Sequence, residues 1–505
     1  MRRPGERDGL QALRGSNDRQ DLQHAFSVYG QQCSLNPRQG VPPDDALRTR
    51  WGVKTRLCLA ASVLALVPAP AMAAPPTLQH SMRDPEWVTL SGSSRLRYEA
   101  LEGQPRAGLN ATDEQLALRT IITAQVDLQG IKVNAELHDS RAWLTKPGGA
   151  VSANEVNTFE LVQANIAGDI TLDGGTKLSL QLGRMTLGLG SRRLVAADDY
   201  RNATNGYTGL RADLRIKGGL AATTIFVLPH IRLPDDLPSI KAQQPRWDRE
   251  SFDLQLWGGL VSHTGLVRNL TLEAGYFGVL ERDWPGRVTR QRDLDSFSAR
   301  LIRDPRPGKV DFELEGIYQS GTVRASASTS AAILPVGAWL VHADAGYSFP
   351  GAAKVRLSLE YDRASGDEPG GKFGRFDTLF GMRGADLAQS GIYNAIGRAN
   401  ISAVGVRLEK GLASRWEGYF TYKPMWLASR TDSFSTTGVR DLTGSAGNFA
   451  GHQVELQLRY WLVPKFLRGQ LNAVNLSKGR FLRTAPNAVT GADTHYVATT
   501  ISVHF

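Results

Sequence analysis

The chain has only two cysteines in 505 residues, Cys33 and Cys58, and both lie near its N-terminus. Long hydrophobic runs are equally scarce: the apolar run at 57–67 is far too short to cross a bilayer as a helix, and nothing after it is longer. The first absence excludes a small fold held together by disulfides. The second excludes a bundle of transmembrane helices.

Motifs of catalysis and of metal binding are also missing. There is no G-x-S-x-G, no H-E-x-x-H and no paired cysteine pattern, and the nine histidines are scattered. The segment 366–373 nearly matches a phosphate-binding loop, but Phe373 stands where the motif needs Ser or Thr. We therefore predict no catalytic residue, no metal ligand and no cofactor.

The charge is mildly positive, with 59 Lys and Arg against 49 Asp and Glu, and it is spread along the chain. Nucleic-acid binding requires basic residues gathered on one face or in one arm, so we expect no nucleic-acid partner.

The N-terminal region has the layout of a secretory signal peptide at 53–73. Lys54 and Arg56 precede the apolar run, and Ala71-Met72-Ala73 forms an A-x-A cleavage site. We interpret 1–52 as an extension upstream of the true start, or as disordered. The mature protein is then 74–505, an exported chain without cysteine.

The last residues alternate strictly between two kinds of side chain. Val497, Ile501, Val503 and Phe505 share one parity, and the other, from Tyr496 to His504, is mostly polar. Such a strand has one apolar and one polar face. A closing strand that ends on an aromatic residue is typical of outer-membrane barrels, where lipid lies outside and water inside.

The same period of two recurs in eighteen segments between 87 and 505, among them 208–218 and 466–483. Short turns and long polar links alternate between the segments, which matches periplasmic turns and extracellular loops. The predicted fold class is all-β: a single transmembrane antiparallel β-barrel of about 18 strands, of the outer-membrane type. The longest link, 365–398, holds Phe373, Phe376 and Phe380, so we expect it to fold inward and pack on the barrel.

Charged residues occupy one face of many segments and must avoid lipid, where a basic residue at mid-depth costs about 2–4 kcal/mol. Two interpretations stay open: arginine–carboxylate pairs that only stiffen the wall, or a few arginines free to bind a carboxylate or phosphate substrate. The predicted pore-lining residues are Arg95, Arg97, Glu136, Arg211, Asp213, Arg215, Lys217, Arg356, Glu360, Asp362 and Arg459.

Several segments resemble the alginate export domain, namely 135–143, 182–185, 190–195, 199–202, 207–211, 359–367 and 374–381. The resemblance covers roughly 87–505. It implies an eighteen-stranded outer-membrane barrel that passes an anionic polyuronate through an arginine-lined constriction. Charged residues within the similar segments are expected at the pore mouth: Asp139, Arg141, Arg192, Arg193, Asp199, Arg201, Arg375 and Asp377.

The sequence thus predicts a channel in the outer membrane of a Gram-negative bacterium, passing anionic saccharides passively. The alternative is a general porin that takes up small organic anions; a barrel enzyme or an adhesive barrel is less favoured. The expected partners are outer-membrane lipids, the anionic solute and periplasmic export proteins, around a monomeric barrel.

Overall fold

The computed structural model describes residues 77–383, 386–389, 391–411 and 415–505. The predicted extension at 1–52 and the predicted signal peptide at 53–73 lie outside the described residues.

Eighteen strands make up nearly all of the regular structure of the described residues: β1 Val88–Glu102, β2 Thr112–Leu128, β3 Ile131–Trp143, β4 Asn157–Leu172, β5 Thr176–Met185, β6 Tyr207–Arg215, β7 Leu220–Pro229, β8 Leu254–Thr264, β9 Thr271–Glu281, β10 Asp293–Arg303, β11 Lys309–Arg324, β12 Ile333–Ser348, β13 Val355–Ala364, β14 Ile401–Lys410, β15 Trp416–Trp426, β16 Phe449–Val463, β17 Leu467–Lys478 and β18 Thr494–His504. Each strand pairs antiparallel with its neighbours in sequence, and β1 pairs with β18 to close the sheet. The predicted eighteen-stranded barrel is confirmed.

The two ends of the barrel differ in the length of their connections. At one end, the turn end, the links are short, such as 129–130 between β2 and β3 and 464–466 between β16 and β17. At the other end, the loop end, four links are long: 186–206, 230–253, 365–400 and 427–448. The predicted alternation is confirmed, although the link at 321–337 shrinks to 325–332 because β11 and β12 extend beyond the predicted ends.

The outer face carries aromatic residues near both ends. Tyr276, Phe297, Tyr318 and Trp339 are partners in register on β9 to β12, near the loop end. Near the turn end, Trp416 pairs with Tyr460 across β15 and β16. Two aromatic belts flanking an apolar band are what a barrel needs at the two surfaces of a membrane.

The closing strand keeps the predicted alternation: Tyr496 and Ala498 are fully buried on the inner face, and Ile501 is 45% exposed on the outer face. Phe505 continues the pairing, because its backbone N–H donates to the Gly92 carbonyl at 2.8 Å. An added Cβ at Gly92 would lie 2.5 Å from the Phe505 ring, so only glycine leaves room for the terminal aromatic residue.

The interior of the barrel is packed by its own loops. Phe376, Tyr393 and Phe434, from loops 365–400 and 427–448, are buried and belong to a cluster with wall residues such as Tyr496. The Tyr393 and Tyr496 rings stack with centroids 5.8 Å apart. The expectation that the longest link folds inward and packs on the barrel is confirmed.

The described residues also form three short α-helices, α1 Leu78–Ser81, α2 Leu237–Lys241 and α3 Arg480–Thr484, and a 3₁₀ turn at Asp173–Gly175. Helix α3 corrects the predicted segment 466–483, because β17 ends at Lys478 and the chain turns into the helix after Gly479. No helix in the described part of the chain is long and apolar enough to cross a membrane.

Candidate functional site

Most predicted inward charges on the wall are paired with an opposite charge. Arg211 binds Asp213 through two hydrogen bonds of 2.7 and 2.9 Å. Arg356 pairs with Asp311 at 2.5 Å, with Asp344, and with Glu409 at 3.4 Å. Guanidinium groups held in this way stiffen the wall and keep little capacity for a solute.

The two predicted carboxylates of β13 are also neutralised. Lys423 of β15 lies 2.8 Å from Glu360 and 3.4 Å from Asp362, and it is almost fully buried. Asp362 also accepts from His342 Nδ1 at 2.7 Å. On β16, Arg459 pairs with Glu417 at 3.2 Å, while about a third of its side chain stays exposed to the interior.

The arginines of β1 hold a loop that crosses the interior. Arg95 donates to the carbonyl oxygens of Asp199 and Arg201, both at 2.8 Å. Arg97 donates to the Tyr200 carbonyl at 2.6 Å and pairs with Glu99 at 2.8 Å. Loop 186–206 leaves the wall at β5, so these contacts carry it across to β1.

Two predicted pore-mouth residues lie elsewhere. On β3, Glu136 and Ser140 are buried on the inner face, so the residues of opposite parity, Asp139 and Arg141, point outward. They pair with each other at 2.9 Å on the outer surface, where Arg141 also lies over the Phe159 ring. The prediction that they form the mouth is therefore wrong. It relied on their position in a segment similar to the family and did not use the alternation of side chains along the strand.

The end of β6 requires a second correction. The predicted strand 208–218 stops at Arg215, and the turn at 216–219 follows. Both Arg215 and Lys217 are exposed at the turn end, so Lys217 does not line the wall as predicted.

Arg193 joins two inward-folded loops to the wall. Its guanidinium is buried and binds Asp386 of loop 365–400 at 2.7 and 2.9 Å. It also binds Glu313 of β11 at 2.7 Å, and Glu315. Three carboxylates around one arginine fix the position of loop 186–206.

The other predicted mouth residues lie on the loops of the loop end. Arg201 pairs with Asp198 at 3.2 Å, and Asp199 is exposed. Arg375 binds Asp432 at 2.7 Å. The remaining two are Asp377, which pairs with Arg292 at 3.2 Å, and Arg192, which is partly exposed.

Four arginines gather where these loops meet inside the loop end, and we call them the mouth arginines: Arg106, Arg201, Arg232 and Arg383. Within the described chain, Arg106, Arg232 and Arg383 form no ion pair with a carboxylate. Arg232 donates to the side-chain oxygens of Asn205 and Asn154, both at 2.7 Å. Arg106 donates to the Ile392 carbonyl at 3.3 Å, and Arg383 to Asn394.

The lowered pKa values of Arg106, Arg232 and Arg383 indicate that the charge of these three mouth arginines is poorly compensated. Burial, with the like charge of Arg201, lowers the pKa of Arg383 to about 9 and that of Arg232 to about 10. Burial also lowers the pKa of Arg106. A guanidinium stays protonated in proteins, so these shifts mean that a bound anion would be stabilised here.

Two clusters have donor sets that suit a cation: Glu160 with His230 and Asp248, and His342 with Asp362 and Asp386. Basic side chains already occupy both. Arg184 lies 2.5 Å from Glu160, and Lys423 lies 3.4 Å from Asp362. We assign no metal to either cluster.

A comparison with protein families matches residues 86–495 to the family described as alginate export. The chain belongs to the alginate export family. This confirms the resemblance on which part of the prediction depended, and it places the barrel in the outer membrane of a Gram-negative bacterium. The turn end of an alginate export barrel therefore faces the periplasm, and the loop end faces the outside.

Solved structures with the same fold include the outer-membrane protein OpdK and OccK2 (OpdF), both of Pseudomonas aeruginosa. OpdK is 12% identical with a TM-score of 0.53, and OccK2 (OpdF) is 13% identical with a TM-score of 0.53. Each alignment covers 83% of this chain and 98% of the other. A comparison with curated protein sequences finds no significant match. At these identities the likeness shows that the alginate export chain has the same fold as OpdK and OccK2 (OpdF).

Sequence reasoning missed Arg106 and Arg232 of the mouth, and Arg119, which faces Arg95 across β1 and β2. The parity of β2 places Arg119 on the inner face together with Gln115 and Ala117, so alternation could have found it. Arg106 and Arg232 lie in loops, where no periodic pattern marks an inward residue.

Proposed function

We propose that this protein is a passive channel for anionic saccharides, such as a polyuronate, and that the mouth arginines attract and orient the solute. The observation that carries the proposal is the set of three guanidinium groups, Arg106, Arg232 and Arg383, that bind only neutral acceptors. Their charges are not cancelled by ion pairs, unlike those of Arg211 and Arg356 on the wall.

Guanidinium groups suit this role because a planar fork of N–H donors matches the carboxylate of a uronate. Backbone and amide oxygens hold these arginines only weakly, so a carboxylate can replace them. Conduction also requires that a solute leaves again, and several moderate sites in a wet passage allow this better than one tight site.

The neighbours of known structure supply a second line of support. OccK2 (OpdF) has been solved in complex with glucuronate, a uronate, and OpdK with vanillate, a small organic anion. A barrel of this fold can therefore accept either class of solute. Uptake of small organic anions is the second candidate function.

Reversal potentials across a salt gradient in planar bilayers test the proposal. The parent should prefer anions, and a soluble polyuronate should block its current more strongly than a neutral polysaccharide of similar length. The triple variant Arg106→Gln, Arg232→Gln, Arg383→Gln should lose most of both effects. The control Arg211→Gln with Asp213→Asn removes one paired charge of each sign and should behave like the parent.

A cation-selective parent would overturn the proposal. Anion selectivity that depends on the mouth arginines, without block by polyuronate, would favour the channel for small organic anions instead.

A further inference from the structure

The inner wall at the periplasmic end carries an indole ring and a guanidinium side by side. Trp461 of β16 and Arg468 of β17 are cross-strand partners. The Arg468 guanidinium carbon lies 5.3 Å from the centroid of the Trp461 ring. The ring of His504 on β18 lies 5.6 Å from the same indole. We call these three residues the periplasmic cluster.

The periplasmic cluster faces the interior. On β18 His504 has the parity of the buried residues Thr500 and Ser502, whereas Ile501 is exposed on the outer face. On β16 Trp461 has the parity of the buried Gln457, and Tyr460 is 39% exposed outside. Trp461 therefore does not belong to the aromatic belt that meets lipid. All three side chains are partly exposed, so a solute entering from the periplasm can reach them.

The polar groups of the cluster lack partners. Arg468 Nε and His504 Nε2 are buried from solvent without a hydrogen bond among the described residues. Arg468 forms no ion pair with a carboxylate of the described chain, whereas its neighbour Arg459 binds Glu417 at 3.2 Å and Gln470 at 3.0 Å. An unpaired polar group in such a place costs free energy unless a ligand satisfies it.

We propose that the periplasmic cluster is a binding subsite for one acidic sugar residue of the transported saccharide. The flat face of Trp461 packs against the C–H face of the pyranose ring. Arg468 donates in a bidentate manner to the sugar carboxylate. His504 and the exposed part of Arg459 bind the ring hydroxyls. Cation–π contact with the indole holds the guanidinium in place before the sugar arrives.

This proposal rests on the proposed function and adds a second binding site to it, at the periplasmic end of the channel. The mouth arginines lie at the loop end and the periplasmic cluster lies at the turn end, so an exported polyuronate would meet Trp461 and Arg468 first. Binding at a second site, near the entrance, retains a flexible polymer in the channel while its free end diffuses to the mouth arginines.

Direct binding tests the subsite independently of conduction. A uronate trisaccharide and a neutral trisaccharide are titrated into the detergent-solubilised protein in a calorimeter. Four variants are compared: Arg468→Gln, Arg468→Lys, Trp461→Leu, and Arg268→Gln as the control. Arg268 is an exposed cation in the 265–270 turn at the same end of the barrel, so its variant removes the same charge. Heat-modifiable migration on gels confirms that each variant is folded.

The parent should bind the uronate trisaccharide saturably and the neutral one much more weakly. Arg468→Gln and Trp461→Leu should each raise the Kd about tenfold or more. The Kd of Arg468→Lys should lie between the values of those two variants and that of the parent, because lysine keeps the charge and loses the planar fork. The Kd of Arg268→Gln should match that of the parent. No uronate binding by the parent, or an equal effect of Arg268→Gln and Arg468→Gln, would overturn the subsite. Anion selectivity in bilayers would still support the proposed function in either case.

Discussion

Glu99 on β1 accepts a hydrogen bond from the backbone N–H of Ile392 at 2.8 Å, so a buried charge on the wall anchors loop 365–400. The same carboxylate oxygen accepts the Tyr496 hydroxyl at 2.9 Å, and the other oxygen pairs with Arg97. Tyr496 in turn bonds the hydroxyl of Tyr200, in loop 186–206, at 2.7 Å. One carboxylate therefore holds two loops against the wall.

Replacing Glu99 by alanine should loosen loop 365–400. The Ile392 N–H and Arg97 would lose their acceptor in a buried place, where breaking an ion pair costs about 3–5 kcal/mol. We expect a larger and noisier single-channel conductance and a lower temperature for the heat-modifiable gel shift. Glu99→Gln keeps an acceptor oxygen and should show a smaller change. A conductance unchanged in Glu99→Ala would show that this contact does not hold the loop.

Arg193 and Arg211 offer a matched pair of predictions about stability. Arg193→Ala removes the cation that Asp386, Glu313 and Glu315 share, although Asp386 keeps a second cation, Arg398 at 2.5 Å. The variant should lower the free energy of unfolding by about 3–5 kcal/mol. Arg211→Ala breaks a pair about a quarter exposed, and it should cost about 0–1 kcal/mol. Urea unfolding in detergent, followed by tryptophan fluorescence, measures both. Equal losses in the two variants would contradict the role of Arg193.

Anion selectivity should increase as the pH falls from 8 to 5.5. Burial raises the pKa of Glu155 to about 7, and burial with the like charge of Glu160 raises the pKa of Asp248 to about 7. Both carboxyls interact with the mouth arginine Arg232, so protonating them leaves its positive charge less compensated. Reversal potentials at the two pH values measure the effect, and Glu155→Gln with Asp248→Asn should abolish it.

The same two carboxyls determine the direction in which stability changes with pH. An unfolded carboxyl titrates near pH 4, so the folded protein holds more protons than the unfolded chain between about pH 4 and 7. The contribution of these carboxyls to stability is complete below about pH 4 and is lost as the pH rises to 7. Greater heat stability of the double variant than of the parent at pH 8 is expected, and equal stability would speak against the raised pKa values.

The wall of the barrel could be predicted from the sequence because lipid imposes a rule on every second residue. Ile501 is apolar and lies on the outer face, whereas Thr500 is polar and lies on the inner face, so the polarity of each residue determines its side of the wall. The rule fails where the chain leaves the membrane, so the predicted strand 466–483 continued into helix α3. Asp139 and Arg141 were misplaced for a related reason: near the loop end an outward charge no longer meets lipid.

The candidate site was harder to predict because it is made by tertiary contacts. Arg193 stands in a segment similar to the family, yet nothing in its surroundings in sequence indicates Asp386 as a partner. Arg232 and Arg106 come from loops far apart in sequence, and only the folding of four loops into one barrel brings Arg232 near Arg201 and Arg106 near Arg383. Charge composition alone does not tell a paired arginine from an unpaired one.

The pairing of β1 with β18 sets an order of events during assembly. All the other pairings join strands that are neighbours in sequence, so these seventeen hairpins can form as the chain is delivered. The pairing of β1 with β18 requires the last strand. Glu99 and Tyr496, which anchor the two inward loops, lie on the two strands of that seam. Closing the seam therefore also completes the hydrogen bonds that join loops 186–206 and 365–400 to β1 and β18.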